Sequence, residues 1–151
     1  MHISDILTPE RTFHSAYGQS KKRIFEFLAS ELVEDSKPAH MQRILDAFMA
    51  RERLGSTGLG QGIAIPHCRL ESCTQCKGAL LTLAQGIEFD APDKQPVDLL
   101  FVLLVPGEAA DEHLQILAEL ARRFSNPDYC ESLRNSEDAG ALYEAAIAPI
   151  K

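Results

Sequence analysis

The sequence is poor in several features that would point to a particular functional class. Basic residues are few, with 15 Lys and Arg against 22 Asp and Glu, and the formal net charge is -7. Nucleic-acid binding depends on clustered Lys and Arg that neutralise phosphates. The only dense basic run, Lys21 to Arg23, is too short to form such a surface. We therefore expect no nucleic-acid partner.

Long apolar segments are also missing. The longest uninterrupted apolar run extends from Leu99 to Val105, whereas a membrane-spanning helix needs roughly 20 residues. Residues 1–5 lack the basic and apolar regions of a secretory signal. We expect no membrane insertion and a cytoplasmic location, where the four cysteines would stay reduced.

The chain has no internal repeat, low-complexity tract or long linker, and its 151 residues predict a single domain over residues 1–151. Helical periodicity and capping residues predict helices at Ser20–Asp35, Pro38–Arg53, Asp111–Phe124, Pro127–Arg134 and after Ser136. Alternating or continuous apolar runs predict strands at Ile63–Ile65, Lys77–Ala84 and Val97–Val105, and an edge strand at Gly86–Asp90. Helices before and after a mixed sheet predict an α/β fold, a single-domain mixed β-sheet sandwiched by helices.

Two details of these helices can be checked against a structure. The buried face of the first is predicted to contain Ile24, Phe27, Leu28 and Leu32, and that of the Asp111–Phe124 helix Leu114, Leu117, Leu120, Ala121 and Phe124. The predicted N-caps are Ser20, Asp111, Asn126 and Ser136, because their side chains can accept from backbone N–H groups of the first turn.

Four glycines lie within eight residues, from Gly55 to Gly62, ahead of a short apolar run, Pro66 and His67. The spacing Gly58-x-Gly60-x-Gly62 departs from the Gly-x-Gly-x-x-Gly of dinucleotide sites, and the Gly-Lys-Ser/Thr of a Walker loop is absent. Two interpretations remain. The stretch is either a turn-rich loop without function, or a tight backbone path whose N–H groups converge on an anion near His67.

His67 is the candidate nucleophile. It follows a proline at the end of a short predicted strand, so we expect a side chain that is held rigidly and yet exposed. An imidazole with a lone pair on one ring nitrogen attacks phosphoryl groups well at neutral pH. Taken alone, any one of the five histidines is more often an ordinary surface residue.

The segment Arg51–His67 resembles the signature of the fructose/mannitol-class enzyme IIA domains of the bacterial phosphotransferase system. It is most similar to the nitrogen-regulatory type, EIIA-Ntr. The resemblance continues through Phe89–Ala91, Gln95–Phe101, Leu103–Pro106 and His113–Leu114, and so covers nearly the whole chain. It implies the phosphotransferase IIA fold of the mannitol/fructose type and the activity of a histidine phosphocarrier.

The resemblance also implies roles for individual residues. An HPr-like phosphocarrier of the NPr type would pass a phosphoryl group to Nε2 of His67, without a cofactor or a metal. Arg51 and His113 would be the other catalytic residues. The phosphoryl-binding residues would be Ser56, Thr57, Gly58, Gly60 and Gly62.

The chain carries no IIB, IIC or HPr domain, and the resemblance implies a regulator of nitrogen, potassium or carbon metabolism. Its targets would be proteins such as potassium-transport components or sensor kinases. One alternative is a sugar-specific fructose or mannitol IIA that passes its phosphate to a IIB domain. Another is a pure interaction module whose His67 takes no phosphate.

Without the family, several of these residues have simpler explanations. Arg51 ends a predicted helix, where a cation interacts favourably with the helix dipole. His113 would be an ordinary residue in the first turn of its helix. Asp98, in an apolar strand, would tie that strand to a loop through hydrogen bonds, because a buried carboxylate without them is costly.

The cysteines are not explained by the resemblance. Cys68 stands where EIIA-Ntr sequences generally have glycine, next to the reactive histidine. Together with His67, the Cys68-x4-Cys73-x2-Cys76 spacing resembles half a zinc site. A zinc- or thiol-based sensor, a redox pair of Cys73 and Cys76, and inert thiols all remain open, and Cys130 is predicted to be a packing residue.

Overall fold

Six strands form one mixed sheet in the computed structural model, which describes residues 2–107 and 112–150. The strands are β1 (Thr12–Ala16), β2 (Gly58–Gly60), β3 (Ile63–Ala64), β4 (His67–Leu70), β5 (Lys77–Ile87) and β6 (Val97–Pro106). Their order is β1-β5-β6-β3-β2, and β4 also pairs with β6. The pairs β1–β5, β3–β6 and β4–β6 are parallel, whereas β5–β6 and β2–β3 are antiparallel.

Helices cover both faces of this sheet. They are α1 (Ile3–Ile6), α2 (Lys21–Leu32), α3 (Pro38–Leu54), α4 (Glu112–Phe124), α5 (Pro127–Arg134) and α6 (Ala139–Ile147), with a 3-10 turn at Pro9–Arg11. One core lies between the sheet and α2 and α3, and a second lies between the sheet and α1, α4, α5 and α6. The predicted α/β sandwich is confirmed.

The central position of β6 explains the continuous apolar run from Leu99 to Val105. Leu100, Val102 and Leu104 enter the core under α2 and α3. The residues between them enter the opposite core, because successive side chains of a strand point to opposite faces. A strand that is buried on both faces reads as a continuous apolar run.

The edge of the sheet beside β6 is discontinuous, and this break positions His67. β3 pairs with β6 at Leu99 and Leu100, and β4 resumes the pairing from Leu103 onward. Between them the carbonyl of Pro66 accepts from the amide of Leu103 at 2.9 Å. The predicted strand Ile63–Ile65 thus ends at Ala64, and a separate strand that the sequence analysis missed begins at His67.

Two of the predicted N-caps are confirmed. The hydroxyl of Ser20 accepts from the amide of Arg23 at 3.2 Å. The Asn126 side chain accepts from the amides of Asp128 and Tyr129. Asp111 lies outside the described residues. The cap predicted at Ser136 is wrong, since Asp138 accepts from the amide of Ala141 and begins α6.

Other local predictions need correction. The edge strand predicted at Gly86–Asp90 does not form, because β5 continues through Ile87 beside Val97 and the chain then leaves the sheet. In α2 Phe25 is fully buried and Phe27 is only partly buried. The strand β1 and the short helix α1 were not predicted, since neither carries a long periodic pattern.

The buried face of α4 is also rotated from the predicted one. Leu114 is 59% exposed and Ala121 is exposed, whereas Ile116 and Leu120 are fully buried. The helix also buries an ion pair between Glu119 and Arg123, whose guanidinium donates to the carbonyls of residues 146 and 148 at the end of α6. Periodicity of apolar residues could not detect a face that contains buried charges.

Candidate active site

His67 begins β4 directly after Pro66 and is only partly buried. Its Nδ1 lies 2.9 Å from the carbonyl oxygen of Ile65. A carbonyl can only accept a hydrogen bond, so Nδ1 carries the proton, and in the neutral ring Nε2 holds the lone pair. The contact spans two residues across the proline, so the local chain itself orients the ring. The ring is therefore oriented and partly accessible, as the sequence predicts, and its role as a nucleophile through Nε2 stays a prediction.

His113 is hydrogen-bonded to the strand that carries His67, through a residue that the sequence analysis did not select. Arg69 is two residues after His67 on β4, and its side chain is on the same face of the strand. Its Nη2 lies 3.1 Å from Nε2 of His113, at the start of α4. A guanidinium can only donate, so Nε2 of the buried His113 accepts this bond. Period-two alternation from His67 would have identified Arg69 if β4 had been predicted.

Arg51 lies in the last turn of α3, as predicted. Its Nη1 donates to the carbonyl oxygen of Gly55 at 2.9 Å, just beyond the end of the helix. This is the capping position that the helix dipole favours for a cation. The guanidinium is partly exposed, and its predicted role toward a phosphoryl group stays a prediction.

The side chains of Ser56 and Thr57 already have partners within the protein. The Ser56 hydroxyl donates to the carbonyl of Phe89 at 2.9 Å and accepts from the amide of Gly58 at 3.0 Å. The hydroxyl and the amide of Thr57 both donate to Oε1 of Glu52, the amide at 3.2 Å. Their predicted role as phosphoryl-binding residues is untested, and the contacts that the structure gives them order the loop.

Glu52 is a second residue that the sequence analysis missed. Its side chain is only 4% exposed, and its Oε2 lies 2.9 Å from Nζ of Lys21 on α2. The same ammonium group lies 4.5 Å from the centre of the Phe89 ring. One carboxylate thus connects α2, the end of α3 and the start of the glycine-rich segment. No local pattern marks Glu52, because its burial depends on Lys21 of another helix.

The glycines allow a tight hairpin between β2 and β3. Gly60 and Gly62 have φ of +90° and +81°, and Gln61 between them has +57°. The amide of Gln61 donates to Oδ2 of Asp93 at 2.8 Å. A Cβ on Gly58 would lie 2.9 Å from that of Ala91. The three glycines therefore serve backbone conformation and close approach here, and their role as phosphoryl-binding donors stays a prediction.

Asp98 and Arg134 fasten this hairpin to the rest of the protein. Nη2 of Arg134 lies 2.9 Å from Oδ1 of Asp98, and the same nitrogen donates to the carbonyl of Gln61 at 2.8 Å. Asp98 belongs to β6, Arg134 ends α5 and Gln61 is the tip of the hairpin. The prediction that Asp98 ties its strand to a loop agrees with this contact, which runs through Arg134.

The cysteines near His67 do not face it as a cluster. Cys68 and Cys73 are buried in the core under α2 and α3, and Cys76 packs against the core on the opposite face. All four cysteines are described, and each is a thiol rather than half of a disulfide. Among the described residues no group of three or more His, Cys, Asp or Glu is placed to hold a metal ion.

Burial determines the protonation of the two thiols nearest the site. It raises the pKa of Cys68 to about 12, with a smaller contribution from Cys73. Burial likewise raises the pKa of Cys73, whose thiol donates to the carbonyl of Gln75 at 2.8 Å. A thiol that keeps its proton is a poor nucleophile and a poor metal ligand, so the contacts favour inert packing thiols. Cys130 is buried in the second core, as expected of a packing residue.

Within residues 2–107 and 112–150, the helices are too short or too polar to cross a bilayer.

Comparison with known proteins identifies relatives of this chain. One of them is a protein of Pseudomonas aeruginosa named nitrogen regulatory protein. The two sequences are 44% identical over 147 residues, and the alignment covers 97% of this chain and 96% of that protein.

Solved structures give the same relationship. Nitrogen regulatory protein IIA-Ntr of Neisseria meningitidis superposes with a TM-score of 0.88 at 40% identity, over 95% of this chain and 98% of that chain. Enzyme IIA for mannitol of Escherichia coli, solved in complex with phosphorylated enzyme IIB for mannitol, shares the fold with a TM-score of 0.74 at 18% identity. That match covers 93% of this chain and 98% of the mannitol protein.

The family description that matches the sequence is "Phosphoenolpyruvate-dependent sugar phosphotransferase system, EIIA 2", and the match spans residues 5–147. The resemblance that runs from Arg51 to His113 is therefore confirmed over nearly the whole chain. The protein belongs to the EIIA type 2 family of phosphotransferase-system components, whose role is phosphoryl transfer.

Proposed function

We propose that this protein is a histidine phosphocarrier that accepts a phosphoryl group on Nε2 of His67 from an HPr-like protein of the NPr type. The observation that carries the proposal is the hydrogen bond from Nδ1 of His67 to the carbonyl of Ile65. It fixes the tautomer, so the lone pair lies on the ring nitrogen that points away from the backbone. The resemblance of the Arg51–His67 segment to the EIIA-Ntr signature supports the same residue.

The transfer is a displacement at phosphorus. The Nε2 lone pair forms the new N–P bond while the N–P bond of the carrier breaks, and that electron pair returns to the carrier's ring nitrogen. The proton on Nδ1 stays in its hydrogen bond to Ile65 throughout. Such a reaction depends on alignment and on stabilising the charge of the equatorial oxygens rather than on covalent chemistry by the protein.

Arg51 and His113 are the proposed stabilising residues. A guanidinium presents a planar pair of donors that suits phosphoryl oxygens better than an ammonium does. Among the described residues, the hydrogen-bond partner of the Arg51 side chain is the carbonyl of Gly55, at a partly exposed site. The guanidinium is therefore able to exchange that neutral carbonyl for a charged acceptor. Further donors would come from Ser56, Thr57, Gly58, Gly60 and Gly62.

Three exposed leucines favour docking to another protein at this site. Leu54 is 85% exposed, Leu59 53% and Leu114 59%. Each is next to or within three residues of a proposed site residue, namely Arg51, Gly58 or His113. Apolar side chains that are exposed next to the proposed site residues are available for contact with a protein partner.

The proposal includes a regulatory use of the phosphoryl group. The proteins that are 40% identical or more over nearly the full chain are named as nitrogen regulatory proteins, whereas the mannitol relative shares only the fold. We therefore favour phosphorylation-dependent binding to cytoplasmic targets, such as potassium-transport components or sensor kinases, over delivery of phosphate to a sugar-specific IIB.

The test is phosphorylation in a purified system. The protein is incubated with phosphoenolpyruvate, enzyme I and either an NPr-type or a sugar-system HPr carrier. We expect an acid-labile, base-stable phosphoprotein that forms faster with the NPr type and is lost in His67→Ala. His40→Ala is the matched control, because His40 lies far along the chain in α3 and pairs with Asp35 at 2.5 Å.

Three results would contradict parts of the proposal. Absence of label on the wild type with both carriers would remove the phosphocarrier function. Onward transfer from His67 to a sugar-specific IIB would replace the regulatory function with sugar transport. One equivalent of zinc in protein purified without added metal would favour the sensor that uses Cys68, Cys73 and Cys76.

A further inference from the structure

Arg69 lies within reach of a phosphoryl group on His67. The two residues are separated by one position on β4, and their side chains are on the same face. Alternate residues of a strand are about 6.6 Å apart, a distance that the long arginine side chain can span. The neighbouring side chain, Cys68, points to the opposite face and into the core. The strand therefore directs the side chains of His67 and Arg69 to the same face, one position apart.

Among residues 2–107 and 113–150, the groups that accept from Arg69 are uncharged. Its Nη1 donates to the carbonyl of Gly107 at 3.2 Å, at the end of β6, and its Nη2 donates to Nε2 of His113 at 3.1 Å. Two other guanidiniums are instead paired with carboxylates, Arg134 with Asp98 and Arg123 with Glu119. A phosphoryl oxygen carries negative charge and would add an attraction between opposite charges that neither neutral acceptor supplies. It would therefore compete with both of them for Arg69.

The bond between Arg69 and His113 also limits what His113 can do. While Nε2 of His113 accepts from the guanidinium, that atom cannot donate to a phosphoryl oxygen. Transfer of the guanidinium to the phosphoryl group would remove this restriction. The two residues would then change their hydrogen bonds together when His67 is phosphorylated.

We propose that Arg69 is a phosphoryl-binding residue that leaves Nε2 of His113 and the carbonyl of Gly107 and donates to the phosphoryl oxygens on His67. The inference rests on the proposed phosphorylation of His67. The exchange needs no further bond making or breaking beyond hydrogen bonds. Phosphorylation would thereby change the hydrogen bonds at the end of β6 and at the start of α4. A partner protein could detect this change on the surface.

The test compares single-turnover phosphorylation of wild type, Arg69→Gln and Arg69→Lys at saturating carrier. Loss of a charge-assisted bond in the transition state predicts a rate about ten- to a hundredfold lower for Arg69→Gln. Arg69→Lys keeps the charge without the fork and should recover part of the rate. Arg122→Gln is the matched control, because this exposed arginine lies nine residues beyond His113, about 13 Å along α4.

Two further measurements separate this role from a structural one. The carrier concentration for half-maximal rate should stay within about twofold of wild type, and the 31P signal of the phosphohistidine should move in Arg69→Gln but not in Arg122→Gln. Wild-type rate and an unchanged 31P signal in Arg69→Gln would overturn the inference and leave the phosphocarrier function standing. A rate loss that matches a loss of thermal stability, with an unchanged 31P signal, would also overturn it. No label on wild type would instead remove the proposed function.

Discussion

The ion pair of Arg134 and Asp98 lies directly against Gly62, and it joins three parts of the fold that are far apart in sequence. A Cβ on Gly62 would lie 2.8 Å from both Nη2 of Arg134 and Oδ1 of Asp98. The same nitrogen of Arg134 holds the carbonyl of Gln61 at 2.8 Å. The hairpin that precedes His67 is therefore anchored by a contact that requires the absence of a side chain at Gly62.

Gly62→Ala should destabilise the protein by about 2–4 kcal/mol. The φ of +81° is unfavourable for alanine, and the new methyl group would push apart the ion pair. Gly140→Ala is the matched control, since Gly140 lies in the first turn of α6 and its Cβ would meet only Asp138 at 3.4 Å. The control should be neutral or more stable by about 0.5–1 kcal/mol. Urea unfolding measures the free energy of unfolding of both variants. Equal changes in the two would contradict the conclusion that the ion pair requires glycine at position 62.

Local signals in the sequence were sufficient for some elements of the fold and not for others. Ser20 and Asn126 cap helices through contacts within three residues, so their patterns are readable directly. The partners Asp98 and Arg134 are 36 residues apart, and only the folded sheet brings them together. The N-cap of the last helix was predicted at Ser136, two residues before the observed cap at Asp138, because serine and aspartate are equally good capping residues.

The candidate site shows the same division. The proposed nucleophile, His67, follows from its neighbours in sequence, and the family signature adds Arg51 and His113 as proposed site residues. Arg69 was missed because Pro66 appeared to end the only strand there, whereas the chain pairs with β6 again from His67. Glu52 was missed because its burial depends on Lys21 of another helix. Contacts between elements, rather than local patterns, determine the environment of the histidine.

Glu52→Ala should lower the free energy of unfolding by about 3–5 kcal/mol, because it leaves the ammonium of Lys21 and the donors of Thr57 without their buried acceptor. The exposed pair of Arg23 and Glu26, at 3.6 Å, supplies the control. Glu26→Ala should cost less than about 1 kcal/mol. Thermal and urea unfolding of both variants measure the difference. Similar losses in the two variants would mean that Glu52 is not a buried acceptor in solution.

Arg51→Ala should slow phosphorylation of His67 much more than it destabilises the fold. Loss of the bond to the carbonyl of Gly55 at a partly exposed helix end should cost about 1 kcal/mol. Loss of a guanidinium that stabilises the transferring phosphoryl group should lower the single-turnover rate at least about tenfold. Arg51→Lys should keep most of the free energy of unfolding of the wild type but little of its phosphorylation rate. If the rate falls only as far as the folded fraction does, Arg51 is a capping residue alone.

The thiols of Cys68 and Cys73 should resist alkylation in the native protein at pH 8. Burial raises the pKa of both, and alkylation requires the thiolate. Cys76 is more exposed and should react first. Iodoacetamide labelling followed by mass spectrometry identifies each site, and the same reaction in urea provides the fully accessible rate. Rapid native labelling of Cys68 would contradict its placement in the core.

The phenol of Tyr129 should make the protein lose stability at alkaline pH. Burial raises its pKa to about 12, and its hydroxyl donates to the carbonyl of Ala146 at 2.7 Å. In the unfolded chain a tyrosine loses its proton near its ordinary value of about 10. The unfolded state therefore binds fewer protons between about pH 10 and 12. The stabilisation from Tyr129 is complete below that range and declines as the pH rises through it.

Tyr129→Phe tests this linkage by removing the titrating group. The variant should be less stable than wild type by about 1 kcal/mol at pH 8, because it lacks the hydrogen bond to Ala146. Urea unfolding from pH 8 to pH 11.5 should show this gap narrowing and then reversing, since only the wild type loses the contribution of the phenol. Tyr17→Phe, at an 89% exposed position, should follow the wild type throughout. A constant gap between wild type and Tyr129→Phe across the range would show that the buried phenol titrates equally in the folded and unfolded states.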